Sequence, residues 1–174
     1  MRSTLDAAVG IVPATRRHVV GIGEWAVSSR AGDVLMTHGL GSCVAVCLFD
    51  PHTTVAGLLH FLLPEARINP DRARLQPAVF ADTGIPLLLS AAAQQGLVRR
   101  RAIVKLVGGA EMVGPPDVTF NTGRRNVLAA RNLLWRNGVF VARQDVGGTA
   151  ARTLHLSVTT GRLLVFNQDA CKEL

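Results

Sequence analysis

Apolar and polar positions along this chain alternate between short apolar runs and two stretches of helical period. Residues 44–49 form a continuous apolar run between turn formers, and 55–63 form a second, interrupted by Gly57 and His60 and closed by Pro64. Runs of that length predict buried strands. Residues 33–37 and 103–107 read as further strands, and 20–23 with 25–28 as an irregular first one. Asp82 or Thr83 can cap a helix through Gln95, with Pro86 in its first turn and Gly96 as its stop. Thr122 or Asn121 can cap a second helix through Trp135. There Val127, Leu128, Leu134 and Trp135 recur at helical spacing while Arg124, Arg125 and Arg131 can face water. Residues 67–77 and 114–117 read as loops. Residues 139–143 predict another strand, and 152–158 with 162–166 a closing hairpin around Thr159-Thr160-Gly161. Strands before, between and after two helices predict a layered α/β fold. Residues 1–18 are aperiodic and read as a loose tail, leaving 19–174 as one domain.

Composition narrows the setting. With 48% apolar residues the chain can build a core. No apolar run is long enough to cross a bilayer and no secretory leader is legible, so no membrane insertion is expected. Three cysteines, Cys43, Cys47 and Cys171, do not make a disulfide framework, which suits a reducing cytoplasm. The net charge of +7 comes almost wholly from arginine, since only Lys105 and Lys172 are lysines. The clusters at 99–101 and 124–125 are short and not interleaved with aromatics, so nucleic acid is not the expected partner. A solvated basic face is one reading of this charge; attraction of an acidic protein partner is the other.

The candidate chemistry lies in Thr37-His38-Gly39-Leu40-Gly41-Ser42-Cys43 and the strands that run on to His60. A symmetric loop at residues 50–53, with Pro51 favouring the four-residue form, sets Cys43 directly opposite His60. Opposed residues share a face with Cβ atoms about 5 Å apart, within reach of a thiol–imidazole contact. A reversal through Gly39 and Gly41 would bring Thr37 beside Cys43, where its hydroxyl or carbonyl can hold the His60 ring in one tautomer. Backbone N–H groups of Gly41, Ser42 and Cys43 are then candidate oxyanion donors. Each residue also has a plain reading: a cysteine before an apolar strand packs, and a histidine inside one is a satisfied core group. Cys47 reads as core and Cys171 as a free tail thiol. A zinc site from Cys43, Cys47, His60 and His38 lacks ligand spacing, so neither metal nor cofactor is expected. The pairs Gly108-Gly109 and Gly147-Gly148 lack nucleotide-loop spacing and read as tight turns.

Taken in order, several segments resemble one family: Thr37-x-Gly-Leu-Gly-Ser-Cys43, Gly57-Leu-Leu-His60-Phe-Leu-Leu-Pro64, Phe80-Ala-Asp-x-x-Ile-Pro-Leu-Leu88, Lys105-Leu-Val-Gly-Gly-Ala-Glu-Met112, Gly123-Arg-Arg-Asn126 and Asp145-Val-Gly-Gly148. The chain resembles the CheD family of chemotaxis proteins over about residues 20–167. The resemblance implies a three-layer α/β/α sandwich with a mixed, largely antiparallel sheet, similar to the catalytic domain of cytotoxic necrotizing factor toxins. It implies hydrolysis of chemoreceptor glutamines to glutamate, with Cys43 as nucleophile, His60 as base and Thr37 as orienter. His60 as an imidazolium would then pull the thiol below its ordinary pKa. The implied partners are receptor cytoplasmic domains and, where present, the phosphatase CheC. The alternatives are a module that chiefly docks to CheC or receptor, and a general cysteine peptidase. Ala151 before Arg152 and Thr122 before Gly123 depart from the family's usual residues.

Overall fold

The computed structural model describes residues 16–111, 121–168 and 170–174. The elements are β1 (Arg16–Val19), β2 (Glu24–Ser28), β3 (Asp33–Leu40), β4 (Val44–Asp50), β5 (Val55–Phe61), α1 (Pro70–Leu75), α2 (Ala81–Gln94), β6 (Ile103–Gly108), α3 (Thr122–Arg136), β7 (Val141–Val146), β8 (Arg152–Ser157), β9 (Leu163–Phe166) and β10 (Cys171–Glu173). They form two five-stranded sheets, ordered β1-β3-β8-β9-β10 and β2-β5-β4-β6-β7. Pairing is antiparallel except at β1–β3 and β6–β7.

The second sheet is buried on both faces, which is why β4 and β5 read as unbroken apolar runs. One face, through Val44, Val46, Leu48, Leu59 and Phe61, packs on Ile85, Leu88 and Leu89 of α2 and Val127 and Leu134 of α3. The other face, through Ala45, Cys47, Ala56 and Leu58, packs on Leu35, Leu154, Leu156 and Val165 of the first sheet. Each fully buried leucine or phenylalanine contributes about 1.5–3 kcal/mol. The α/β class and the mixed, largely antiparallel pairing match the expectation. The layer order differs: instead of one sheet between two helical layers, the described residues stack as helices, sheet, sheet. Strand pattern alone does not assign strands to one sheet or two.

Local boundaries also moved. The stretch expected as a loop at 67–77 contains α1, whose first turn is capped where Asn69 Oδ1 accepts the Arg72 N–H at 3.0 Å. The α2 helix begins at Ala81, so Pro86 sits in its second turn and Asp82 is free to accept the Ala66 N–H at 2.9 Å. Of the expected tail, residues 16–18 are strand; His18 pairs with Asp33 at 2.8 Å. The remainder, and the expected loop at 114–117, lie outside the described residues.

Candidate functional site

Thr37 and His60 come from different sheets and meet in the layer between them. On β3, Thr37 shares the inward face with Leu35; on β5, His60 shares it with Ala56 and Leu58. Thr37 Oγ1 lies 2.6 Å from the Val20 carbonyl and 2.8 Å from His60 Nδ1. The hydroxyl has one proton, and the carbonyl can only accept it. Thr37 therefore accepts from Nδ1–H, and neutral His60 carries its lone pair on Nε2. That Nε2 is buried and has no hydrogen-bond partner. This is the tautomer a general base requires.

Cys43 precedes β4 on the same inward face as Ala45 and Cys47. Ala45, not Cys43, stands directly opposite His60, which leaves Cys43 as the diagonal neighbour. The expected register was two residues off because the loop occupies 51–54. Thr54 closes it at φ +54°, and Asp50 belongs to the strand, opposite Val55. Face is preserved by a slip of two, so thiol and imidazole still share the inter-sheet layer. Diagonal neighbours are about 7 Å apart at Cβ, still within reach of longer side chains. Thr37 and His60 are 0% and 1% exposed and Cys43 is 6%, so all three are buried and Cys43 is the least so.

The electrostatics correct a second expectation. Burial pushes the Cys43 thiol up from its ordinary value, opposed only in part by its own backbone N–H. Burial pulls His60 down to about 4. Burial thus favours neutral thiol and neutral imidazole over a preformed ion pair. A stability effect follows, with its sign fixed by the depressed histidine value. Above pH 6.5 His60 is neutral whether folded or unfolded. Between 6.5 and about 4 only the unfolded chain takes the proton, so unfolding gains, by about 3 kcal/mol at pH 4. Denaturant titrations at several pH values should show stability falling across that window, and His60→Gln should lose that slope whatever its plateau. An unchanged slope in the variant would assign it elsewhere.

The segment before Cys43 is held by its carbonyls. Gly41 C=O accepts from Ala110 N–H at 2.8 Å and Cys43 C=O from Gly109 N–H at 2.7 Å. Ser42 C=O accepts from Asn126 Nδ2 at 2.9 Å. Gly39 takes φ +68°, as the expected reversal needs, but β3 runs on to Leu40 with a register shift between Thr37 and Leu40. The chain then crosses to the other sheet rather than turning back beside itself. Gly41 N–H bonds Gly39 C=O at 2.9 Å and is already engaged, which leaves Ser42 and Cys43 as candidate N–H donors. Gly108, at φ +113°, is the close approach behind Cys43: a Cβ there would stand 2.3 Å from Cys43 O.

The other candidates disperse. His38 is exposed, while Cys47 is buried with its thiol pushed up to about 12. Among the described residues no three of His, Cys, Asp and Glu stand close enough to hold a metal ion. Sequence reasoning missed Asn126 as part of the site. Besides ending one of the family-like segments, it shares a helical stripe with Ala130 and Leu134, both buried, and a polar residue on an apolar stripe must find partners.

Comparison with known proteins adds an independent finding. The family model described as "CheD chemotactic sensory transduction" matches residues 62–167. The "Probable chemoreceptor glutamine deamidase CheD" of Solibacter usitatus is 42% identical over 156 residues, 90% of this chain and 92% of its own length. The "Probable chemoreceptor glutamine deamidase CheD 1" of Syntrophus aciditrophicus is 40% identical over 147 residues, covering 84% and 91%. The protein of the first of these names from the archaeon Pyrococcus abyssi is 41% identical over 150 residues, covering 86% and 90%.

Proposed function

This chain belongs to the CheD family, and from that premise we propose that it hydrolyses the side-chain amide of specific chemoreceptor glutamines to glutamate, with Cys43 as nucleophile. The observation that carries the chemistry is the Thr37–His60 hydrogen bond. It spends Nδ1–H and leaves the Nε2 lone pair unpartnered in the layer that also holds Cys43.

In the proposed route, Nε2 of His60 takes the Cys43 proton as Sγ bonds to the glutamine side-chain carbonyl carbon. Proton transfer and attack are coupled, because burial disfavours a free thiolate and a free imidazolium alike. The carbonyl oxygen becomes an oxyanion, which N–H groups of Ser42 and Cys43 can stabilise. Its collapse breaks the C–N bond, and the imidazolium gives its proton to the departing ammonia, leaving a thioester on Cys43. Nε2 then takes a proton from water as the water attacks the thioester carbon; the C–S bond breaks, the imidazolium returns its proton to Sγ, and glutamate leaves. Thr37 keeps Nδ1 protonated throughout. No metal or cofactor enters these steps.

Receptor cytoplasmic domains are the proposed substrate, the cytoplasm the proposed setting, and CheC, where it occurs, a proposed partner. Among the described residues no helix is long and apolar enough to cross a membrane. Incubation with receptor cytoplasmic fragments, followed by peptide mass spectrometry, should find particular glutamines converted to glutamate. Free glutamine and peptide bonds should stay intact. Tight binding to the fragments or to CheC with no conversion would favour the docking module instead.

A further inference from the structure

Asn126 is fully buried on a helix whose neighbouring stripe positions are apolar. Both protons of its side-chain amide are used: one goes to Ser42 C=O at 2.9 Å, the other to Leu62 C=O at 2.8 Å. Ser42 precedes the nucleophile, and Leu62 follows β5, which carries the base. One side chain thus ties the segment bearing the thiol to the strand bearing the imidazole. Its Oδ1 is left buried without a partner. A buried amide that satisfies its donors and strands its acceptor is placed for what it donates to.

What it donates to is the carbonyl of the Ser42–Cys43 peptide. A trans peptide is planar, with C=O and N–H pointing opposite ways, and no described peptide is cis. Fixing the carbonyl against α3 therefore turns the Cys43 N–H the other way. The neighbouring carbonyls of Gly41 and Cys43 are likewise held by Ala110 and Gly109. Three consecutive carbonyls are bonded, which aims the Ser42 and Cys43 N–H groups away from those anchors. The Cys43 N–H, on the far side of its peptide from the Asn126 anchor, is a donor that no described carbonyl takes up. Gly123 lets α3 come this close: a Cβ there would stand 2.5 Å from the carbonyl oxygens of Gly109 and Ala110.

We infer that Asn126 is a positioning residue for the reaction: by holding the Ser42 carbonyl it orients the Cys43 N–H as the donor to the developing oxyanion. The inference rests on the deamidase reading and deepens it. Asn126→Ala and the near-isosteric Asn126→Asp both remove at least one donated bond. Each should lower kcat for receptor deamidation about 100-fold with KM little changed, as loss of an oxyanion donor does. Alkylation of Cys43 by iodoacetamide builds no oxyanion at that position, so its rate should change by less than about 3-fold. A purely structural staple would slow both reactions in parallel, and that result overturns the assignment, as does an unchanged kcat. Should neither variant fold, the wild type decides. When a peptide aldehyde forms a hemithioacetal on Cys43, the Cys43 amide proton and the Asn126 side-chain amide protons should shift together in a proton–nitrogen correlation spectrum. An adduct that leaves them unmoved overturns the inference. Wild-type deamidation that does not depend on Cys43 would instead remove the reading beneath it, and this inference with it.

Discussion

Cys43→Ala should lower receptor deamidation by at least about 10⁴-fold while leaving the fold intact. The size follows from covalent catalysis. Removing the sulfur removes the bond-forming atom, and what remains is binding and N–H donors, which alone supply only a small part of such a rate. The fold should survive because the change at this end of β4 is small. Cys43 is 6% exposed, it is not disulfide-bonded, and its backbone stays anchored through Gly109 N–H. Thermal unfolding of the variant checks that second half. A variant that is folded and still deamidates at the wild-type rate would assign the chemistry to another group.

Asp50→Ala should cost about 3 kcal/mol of stability and leave kcat of the folded fraction unchanged. Asp50 is 0% exposed at the far end of β4, about 23 Å along the strand from Cys43. Burial alone would raise its carboxyl. Arg101 at 2.8 Å and the N–H groups of Val98 at 2.9 Å and His52 at 3.0 Å instead hold it well below the usual carboxylate range. Alanine would strand two N–H donors and leave Arg101 uncompensated. Because Arg101 is itself 29% exposed, water recovers part of that loss, which sets the figure at the lower end for a broken buried pair. The depressed carboxyl also fixes the pH sense. Its stabilisation is present above the unfolded value of 3.8 and is lost as pH falls through the folded value, an acid limb below the His60 window. Guanidinium titrations should show the drop in stability, and loss of the acid limb in the variant. Wild-type stability, or activity that falls in proportion, would refute the separation of the two ends of β4.

That same carboxylate explains what the sequence could and could not tell. Asp50-Pro51 reads as the start of a turn, since aspartate before proline so often is one. Here Arg101, 51 residues away, makes it affordable to bury the carboxylate at a strand end, and the loop slides by one. The pairing of Cys43 with His60 shifted by two in consequence, yet their shared face was legible, because face depends only on parity. The Thr37 contact with His60 was expected for the wrong geometry: a hairpin-like reversal, where the chain in fact passes from one sheet to the other. Nothing local distinguishes those routes, for β4 and β5 are buried on both sides and their sequences carry no alternation to say what covers each face. The neutral resting state of the pair was equally out of reach, since it depends on burial that only packing creates. The family-like segments held Cys43 and His60, the proposed nucleophile and base; Asn126 stood among those segments without a role until its two carbonyl partners were in place.

If deamidation passes through a thioester on Cys43, hydroxylamine will intercept it. Present during turnover with receptor fragments, it competes with water for an acyl-enzyme. Glutamyl hydroxamate should form at the same glutamines that become glutamate, with the wild type and not with Cys43→Ala. Glutamate formation with no hydroxamate at saturating hydroxylamine, undiminished in Cys43→Ala, would contradict the thioester route.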